Sequence, residues 1–351
     1  MTDRRPRVPR QESNPPNRFV AQRIEWEEGA PPVELHVLEE DARSVLSEND
    51  SPDVGFRWSV NPYRGCQHAC AYCYARPSHQ YLGLGAGTDF DTRIVVKRNA
   101  PECLALELAR PGWRRERVAF SGNTDCYQPL EARYELTRRC LEVCLARATP
   151  IALITKSALV RRDAALLGRH TRELGSTALV SIPFADERIA RAIEPFAPTP
   201  SLRFETLRVL AAAGVDCGVM IAPVIPGLSD DQIPRVLESA ARAGARHAAH
   251  IALRLPAEVG GVFEERLRAV LPLRADKVLH AIEELRGGRR NDSRFGARMR
   301  GQGERWRMIE QLFDLHCRRL GLATHREPLP TRASAASRAE PRAEQRGLFD
   351  D

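Results

Sequence analysis

Three cysteines, Cys66, Cys70 and Cys73, stand three and then two residues apart in Gly65-Cys66-Gln67-His68-Ala69-Cys70-Ala71-Tyr72-Cys73-Tyr74. Thiolates bind iron and zinc, but a closed structural zinc site takes four protein ligands. A loop of this size instead wraps three thiolates around three irons of a cubane and leaves the fourth iron free for a small molecule. The segment is rich in Gly, Gln, His, Tyr and Arg and lacks the apolar period that would hold three thiols in a core. A zinc site with His68 as fourth ligand, and three inert buried thiols, are the competing readings.

The pattern Cys-x3-Cys-x-aromatic-Cys resembles the signature of the radical S-adenosylmethionine (SAM) enzymes. The resemblance implies a 4Fe-4S cluster on Cys66, Cys70 and Cys73, with SAM on the open iron and Tyr72 near the adenine. It also implies the chemistry. One electron, from a reductant such as flavodoxin or ferredoxin, cleaves SAM to methionine and a 5'-deoxyadenosyl radical, which takes hydrogen from a substrate; the protein binds, orients and excludes. The alternative is a non-catalytic iron-sulfur protein that carries electrons or senses oxidation.

Such a loop must be carried by a scaffold. Phe56, Trp58 and Val60 alternate with Arg57, Ser59 and Asn61, a period of two that delivers the chain to Cys66 as a short strand. Further aliphatic runs predict strands at 118–121, 151–155, 178–183, 217–223 and 250–255. Between them, 134–146, 160–173, 202–213 and 231–243 carry helical periodicity, the last two stopping at Gly214 and Gly244. Strand and helix alternating about every 30 residues argue for parallel strands with covering helices. About six units match the open (β/α)6 partial TIM barrel of the radical SAM family, an α/β fold, over roughly 55–258.

In such barrels the working residues lie at the C-terminal ends of the strands. The second strand ends in Ser121-Gly122-Asn123-Thr124-Asp125-Cys126-Tyr127-Gln128-Pro129-Leu130-Glu131, where the family places its loop for the methionine amine. Gly122 permits close backbone approach, and Asn123, Thr124 and Asp125 offer polar groups suited to an ammonium; an ordinary capped turn is the other reading. Lys156, in a chain with only three lysines, ends the third strand and could pair with the methionine carboxylate. Ser181 is a candidate for the ribose, and Ala222-Pro223-Val224-Ile225-Pro226-Gly227 resembles the family's adenine-contacting turn.

Within the family the chain resembles the spore photoproduct lyase branch, through Tyr72-Cys73-Tyr74, Thr124-Asp125 and Lys156. In that lyase a cysteine three residues before the aspartate donates hydrogen and a tyrosine helps relay it. Here that position is Gly122, Cys126 lies just past Asp125 and Tyr74 is the tyrosine, so Cys126 is open to two readings, hydrogen donor or buried thiol. Cys140 and Cys144, one turn apart on an apolar helix face, read as core.

The flanks differ in character. Residues 1–20, with five arginines, read as a disordered basic arm, 21–54 as an N-terminal cap, 259–326 as a helical C-terminal extension and 327–351 as a flexible tail. Five arginines over 289–301 suit phosphates or closure over the barrel mouth, or form a solvated linker. The formal charge of +7 is compatible with a nucleic-acid partner. Gln345, Leu348 and Phe349 resemble the short peptides that dock on the DNA sliding clamp. An odd cysteine count and the lack of an apolar span or secretory leader point to the cytoplasm and no membrane.

Overall fold

The structure, a computed structural model, describes residues 14–15, 17–19 and 34–324. Most of the expected basic arm, the first part of the cap and the whole tail with Gln345, Leu348 and Phe349 lie outside the described residues.

Six strands, β1 Trp58–Val60, β2 Val118–Phe120, β3 Ile151–Thr155, β4 Thr177–Ser181, β5 Asp216–Val224 and β6 His247–Ala252, lie side by side in chain order, every neighbouring pair parallel. Parallel neighbours require a crossover. Those between β2 and β6 carry the helices Leu136–Ala146, Ala164–Leu174, Pro200–Ala212 and Ile233–Arg242. The sheet continues with Leu46–Glu48, antiparallel to β1, and Ala323–Thr324, parallel to β6. The result is an α/β fold on a mostly parallel sheet, with the C-terminal ends of β1 to β6 along one edge.

Local chemistry explains the boundaries. Thr199 caps the helix that starts at Pro200, and Gly214 and Gly244, at φ +78° and +92°, end two helices in the left-handed region. The last strand begins three residues before the expected 250. His247 pairs with Gly218, where an ideal Cβ would fall 2.4 Å from the His247 carbonyl oxygen, so the glycine admits a pairing that aliphatic patterning does not reveal.

A second, smaller sheet has no counterpart in the sequence reading. Arg93–Lys97 runs parallel to His36–Glu40 and antiparallel to Tyr63–Arg64, the pair just ahead of Cys66. Separate apolar clusters pack the sheet and the cysteine loop, and Cys66 sits in a small one with Ala75 and Phe90. The main core joins Val60, Phe120, Leu153, Val180 and Val219 to the covering helices, Cys140 and Cys144 included, and to Trp306, Ile309 and Phe313 of helix Gly303–Leu320. The second packs Cys70, Ala71 and Tyr72 against Phe184, Ile193 and Ile225 and against helices Val259–Val270 and Pro272–Leu285. The late helices are thus built into both cores. Among the described residues no helix is long and apolar enough to cross a membrane.

Candidate metal centre

The cysteine loop is shaped by its own backbone before any ligand is considered. Gly65 has φ +80°, and a Cβ there would stand 2.8 Å from both the Phe90 carbonyl oxygen and the His79 ring, so neither the turn nor the space admits a side chain. Cys66 N–H donates to Phe90 O at 3.0 Å, Ala69 N–H to Cys66 O at 3.2 Å and Cys73 N–H to Cys70 O at 3.2 Å.

Arg76, fully buried, grips the loop from below. Its guanidinium donates to Cys70 O through Nε and Nη2 at 3.1 and 3.0 Å, to Ala86 O and Gly87 O through Nη1, and pairs with Asp91 at 3.0 Å. A clasp of two glutamines closes the other side. Gln128 Oε1 accepts from Gln67 N–H, Gln128 Nε2 donates to Gly65 O, and Gln67 Oε1 accepts from Leu130 N–H, all at 3.0 to 3.1 Å.

Cys66, Cys70 and Cys73 are free thiols, the first two buried and the third nearly so. Burial raises the pKa of each above the ordinary cysteine value, so thiolates there call for a cation to replace the lost water. Among the described residues no three His, Cys, Asp or Glu side chains are gathered as a single ion requires. In a cubane each thiolate binds a different iron and need only line one cavity, so the donor set fits a cluster. His68 is turned elsewhere. Its Nδ1 lies 3.4 Å from Asp125 Oδ2, and among the described residues it is not gathered with the three cysteines around a single ion position.

The strand-end residues fall into three groups. In the first, Lys156 Nζ donates to Ser181 Oγ at 2.9 Å and lies 3.9 Å from Glu194 Oε1 and 5.7 Å from the Tyr72 ring centroid. The Tyr72 hydroxyl donates to Glu194, whose other oxygen pairs with the fully buried Arg203. Burial alone would raise the Glu194 carboxyl, but Arg203 and Lys156 outweigh it and hold the group ionised.

The second group centres on Asp125, which ties β2 to β3. It accepts from Thr155 Oγ1 at 2.6 Å and Lys156 N–H at 2.7 Å; burial pushes its carboxyl up, but His68 foremost and then these two bonds outweigh it and hold the group at about 2. Thr124 Oγ1 donates to Tyr63 O at 2.9 Å, and Asn123 donates to Ser78 Oγ at 3.3 Å. A Cβ on Gly122 would meet only Ser59 and Phe56, no nearer than 3.6 Å, so close approach of a neighbour does not demand the glycine.

The third group lies at the rim. The Tyr74 hydroxyl donates to Gly122 O, and Arg254, just past β6, covers its ring with the guanidinium carbon 5.3 Å from the centroid. The arginine-rich stretch closes onto this end of β6. Leu255 N–H donates to Asn291 Oδ1, Ala252 N–H to Met299 O, and the buried Arg286 gathers the carbonyls of Leu253, Ala297, Arg298 and Arg300. Cys126 joins none of these groups. It is 1% exposed in the main core, where burial holds its thiol well above the ordinary range.

Arg76, Gln67 with Gln128, Glu194 with Arg203, and Arg254 escaped sequence reasoning. Only Gln67 lies inside the recognisable motif; the others act across turns of the fold that no local spacing announces.

Comparison with known proteins follows the same outline. Residues 60–240, just over half of the chain, match the family model described as the Radical SAM superfamily. An uncharacterised protein of Mycobacterium tuberculosis is 43% identical over 210 residues, 59% of this chain and 62% of that protein. One from Methanocaldococcus jannaschii is 30% identical over 197 residues, 56% of this chain and 70% of that protein. The chain therefore spans about three fifths of the length of its mycobacterial relative. Among solved structures, spore photoproduct lyase complexed with dinucleoside spore photoproduct superposes with a TM-score of 0.58 at 16% identity, covering 82% of this chain and 81% of that one. A variant of that lyase with bound AdoMet and dinucleoside spore photoproduct gives 0.57, also at 16%, with the same coverage of both chains.

Proposed function

The chain belongs to the radical SAM superfamily, and from that premise we propose that it is an enzyme in which Cys66, Cys70 and Cys73 hold a 4Fe-4S cluster with SAM on the open iron, acting by hydrogen abstraction on a nucleic-acid substrate. The observation that carries the reading is the placement of three free thiols, two of them buried, in one clasped loop at the edge of a parallel sheet where Lys156, Ser181 and Tyr72 also gather. The six sequential strands, in this reading, are the (β/α)6 partial barrel, with the late helices as its extension. When bound, the cluster and SAM supply one-electron reductive cleavage of the sulfonium, with flavodoxin or ferredoxin as the reductant.

The chain's own residues bind and orient. Lys156, fixed by Ser181 and Glu194, presents an ammonium to the methionine carboxylate, and Ser181 is in reach of the ribose. Asp125 is an internal strap rather than an open acceptor, because Thr155, Lys156 N–H and Tyr127 N–H already occupy its oxygens. The methionine amine is therefore assigned to the Gly122–Asn123 stretch, where Asn123 Oδ1 accepts no hydrogen bond from the described residues. The tight packing of Tyr72 and the apolar walls of the second core keep water from the loop. Tyr74, half exposed and fixed by its bond to Gly122, is the better placed of the two residues considered for hydrogen relay, since Cys126 is enclosed.

A nucleic-acid substrate, of the lyase or transferase type, is supported by the net charge of +7 and by the fold shared with a lyase solved with a dinucleoside lesion. Cytoplasmic location and docking on a sliding clamp through Gln345, Leu348 and Phe349 belong to the same reading. Anaerobic reconstitution followed by dithionite and SAM tests it, with single-stranded DNA, RNA and no nucleic acid in parallel. The reading expects 5'-deoxyadenosine, in greater yield with one of the nucleic acids. An electron carrier or redox sensor would make none.

A further inference from the structure

The rim holds a guanidinium that no carboxylate among the described residues pairs with. Arg254 is half-buried, and its one hydrogen-bond contact among the described residues is Nη1 to Met299 Sδ at 3.4 Å, a weak acceptor for a group with five donors. Burial, helped by the neighbouring charge of Arg298, pulls its pKa below the ordinary arginine value. Asp53, whose charge reaches it, is already committed. It pairs with Arg298 and accepts from Gly296 N–H at 2.6 Å, while Arg298 also donates to Ser51. Two guanidiniums against one carboxylate leave the cluster with net positive charge. Elsewhere, the fully buried Arg76 and Arg203 each face their own carboxylate, Asp91 and Glu194.

A half-buried cation with idle donors is stabilised by whatever anionic oxygen it can recruit. Two ring faces accompany it. Tyr74 lies beneath Arg254, 48% exposed, and Phe295 beneath Arg298, 62% exposed with the guanidinium carbon 4.4 Å from its centroid. Exposed aromatic faces beside arginines suit a base attached to its phosphate. Tyr74 is also the residue after Cys73, so anything seated on it is held beside the cysteine loop.

Resting on the reading that substrate meets the protein at this edge, we propose that Arg254 is a phosphate-binding residue, its guanidinium receiving a phosphoryl oxygen of the substrate while the attached base lies against the part of Tyr74 that Arg254 leaves open. The phosphate belongs to a nucleic-acid strand or to a free nucleotide, and the test separates them.

The reconstituted full chain is titrated with a fluorescent single-stranded oligodeoxynucleotide, with the same sequence carrying neutral methylphosphonate linkages, and with a nucleoside monophosphate as competitor. Arg254→Ala is expected to weaken the charged strand about tenfold, to lower its salt slope by about 0.7, and to leave the neutral strand unchanged. Arg289→Ala, an exposed cation of the arginine-rich stretch, serves as control and changes little. Loss confined to the nucleoside monophosphate keeps the phosphate site and assigns it to a free nucleotide. Unchanged binding of both charged ligands, equal weakening of charged and neutral strands, or an equal effect of Arg289→Ala overturns the proposal. Should the alanine variant not fold, Arg254→Gln must give the same selective loss. Formation of 5'-deoxyadenosine is measured on the same wild-type preparation with and without the strand. Its absence from both would defeat the proposed radical chemistry while leaving the binding comparison intact.

Discussion

The Tyr72 hydroxyl donates to the Glu194 carboxylate across 122 positions of sequence, so the aromatic between the second and third cysteines is tied to the end of the short helix that follows β4. The same carboxylate pairs with Arg203 and stands 3.9 Å from the Lys156 ammonium. One buried charge thereby sets the position of two groups assigned to SAM.

That arrangement makes Glu194→Gln costly. The substitution keeps the shape but leaves Arg203, 1% exposed, without its counter-ion, and breaking a buried pair in this way costs about 3–5 kcal/mol. A lower urea midpoint is expected, with much of the loss recovered in Glu194→Leu combined with Arg203→Met. An unchanged midpoint for Glu194→Gln would show that the pair does not hold this region together.

Asp125 carries a pH signature. Its carboxyl sits at about 2 instead of 3.8, so the folded state binds this proton less readily than the unfolded chain does. The resulting stability is fully present above about pH 4 and is lost as pH falls through 2, and is about 2 kcal/mol at neutral pH. Urea unfolding of Asp125→Asn against the parent should show that gap at pH 7 and a closing gap toward pH 2. A gap independent of pH would mean that the strap's worth is not electrostatic.

Arg76→Met tests the grip on the cysteine loop. It takes one charged partner from Asp91 and removes the Arg76 donors from the carbonyls of Cys70, Ala86 and Gly87 in a buried site, a loss of about 3 kcal/mol or more. Iron retained after gel filtration should fall along with stability, although no thiol has been touched. Full iron retention would show that the three cysteines hold their geometry without the arginine.

Much of this was legible beforehand. The period-two run at 56–61, the aliphatic runs after it and the Gly214 and Gly244 stops locate the parallel strands and helices to within a few residues, because each is a local preference that tertiary packing reinforces. The spacing of Cys66, Cys70 and Cys73 is likewise local. What spacing cannot show is which polar groups a fold turns inward. Thr124 and Asp125 sit where a binding loop is expected, yet their side chains are spent on Tyr63, Thr155 and Lys156. Cys126 follows them directly and faces the core. Glu194, Arg203 and Arg254 look like ordinary surface charges in an arginine-rich sequence. Only their burial and mutual pairing distinguish the first two, and only the want of a carboxylate partner among the described residues distinguishes the third.

The most direct test is iron, sulfide and electron paramagnetic resonance analysis of the anaerobically reconstituted protein, before and after SAM is added to the dithionite-reduced sample. Three thiolates with an open iron predict about four irons and four sulfides per chain. They also predict a reduced-cluster signal that changes on adding SAM and is lost when Cys66, Cys70 or Cys73 is replaced by alanine. A spectrum indifferent to SAM, or iron binding that survives all three replacements, would contradict the account.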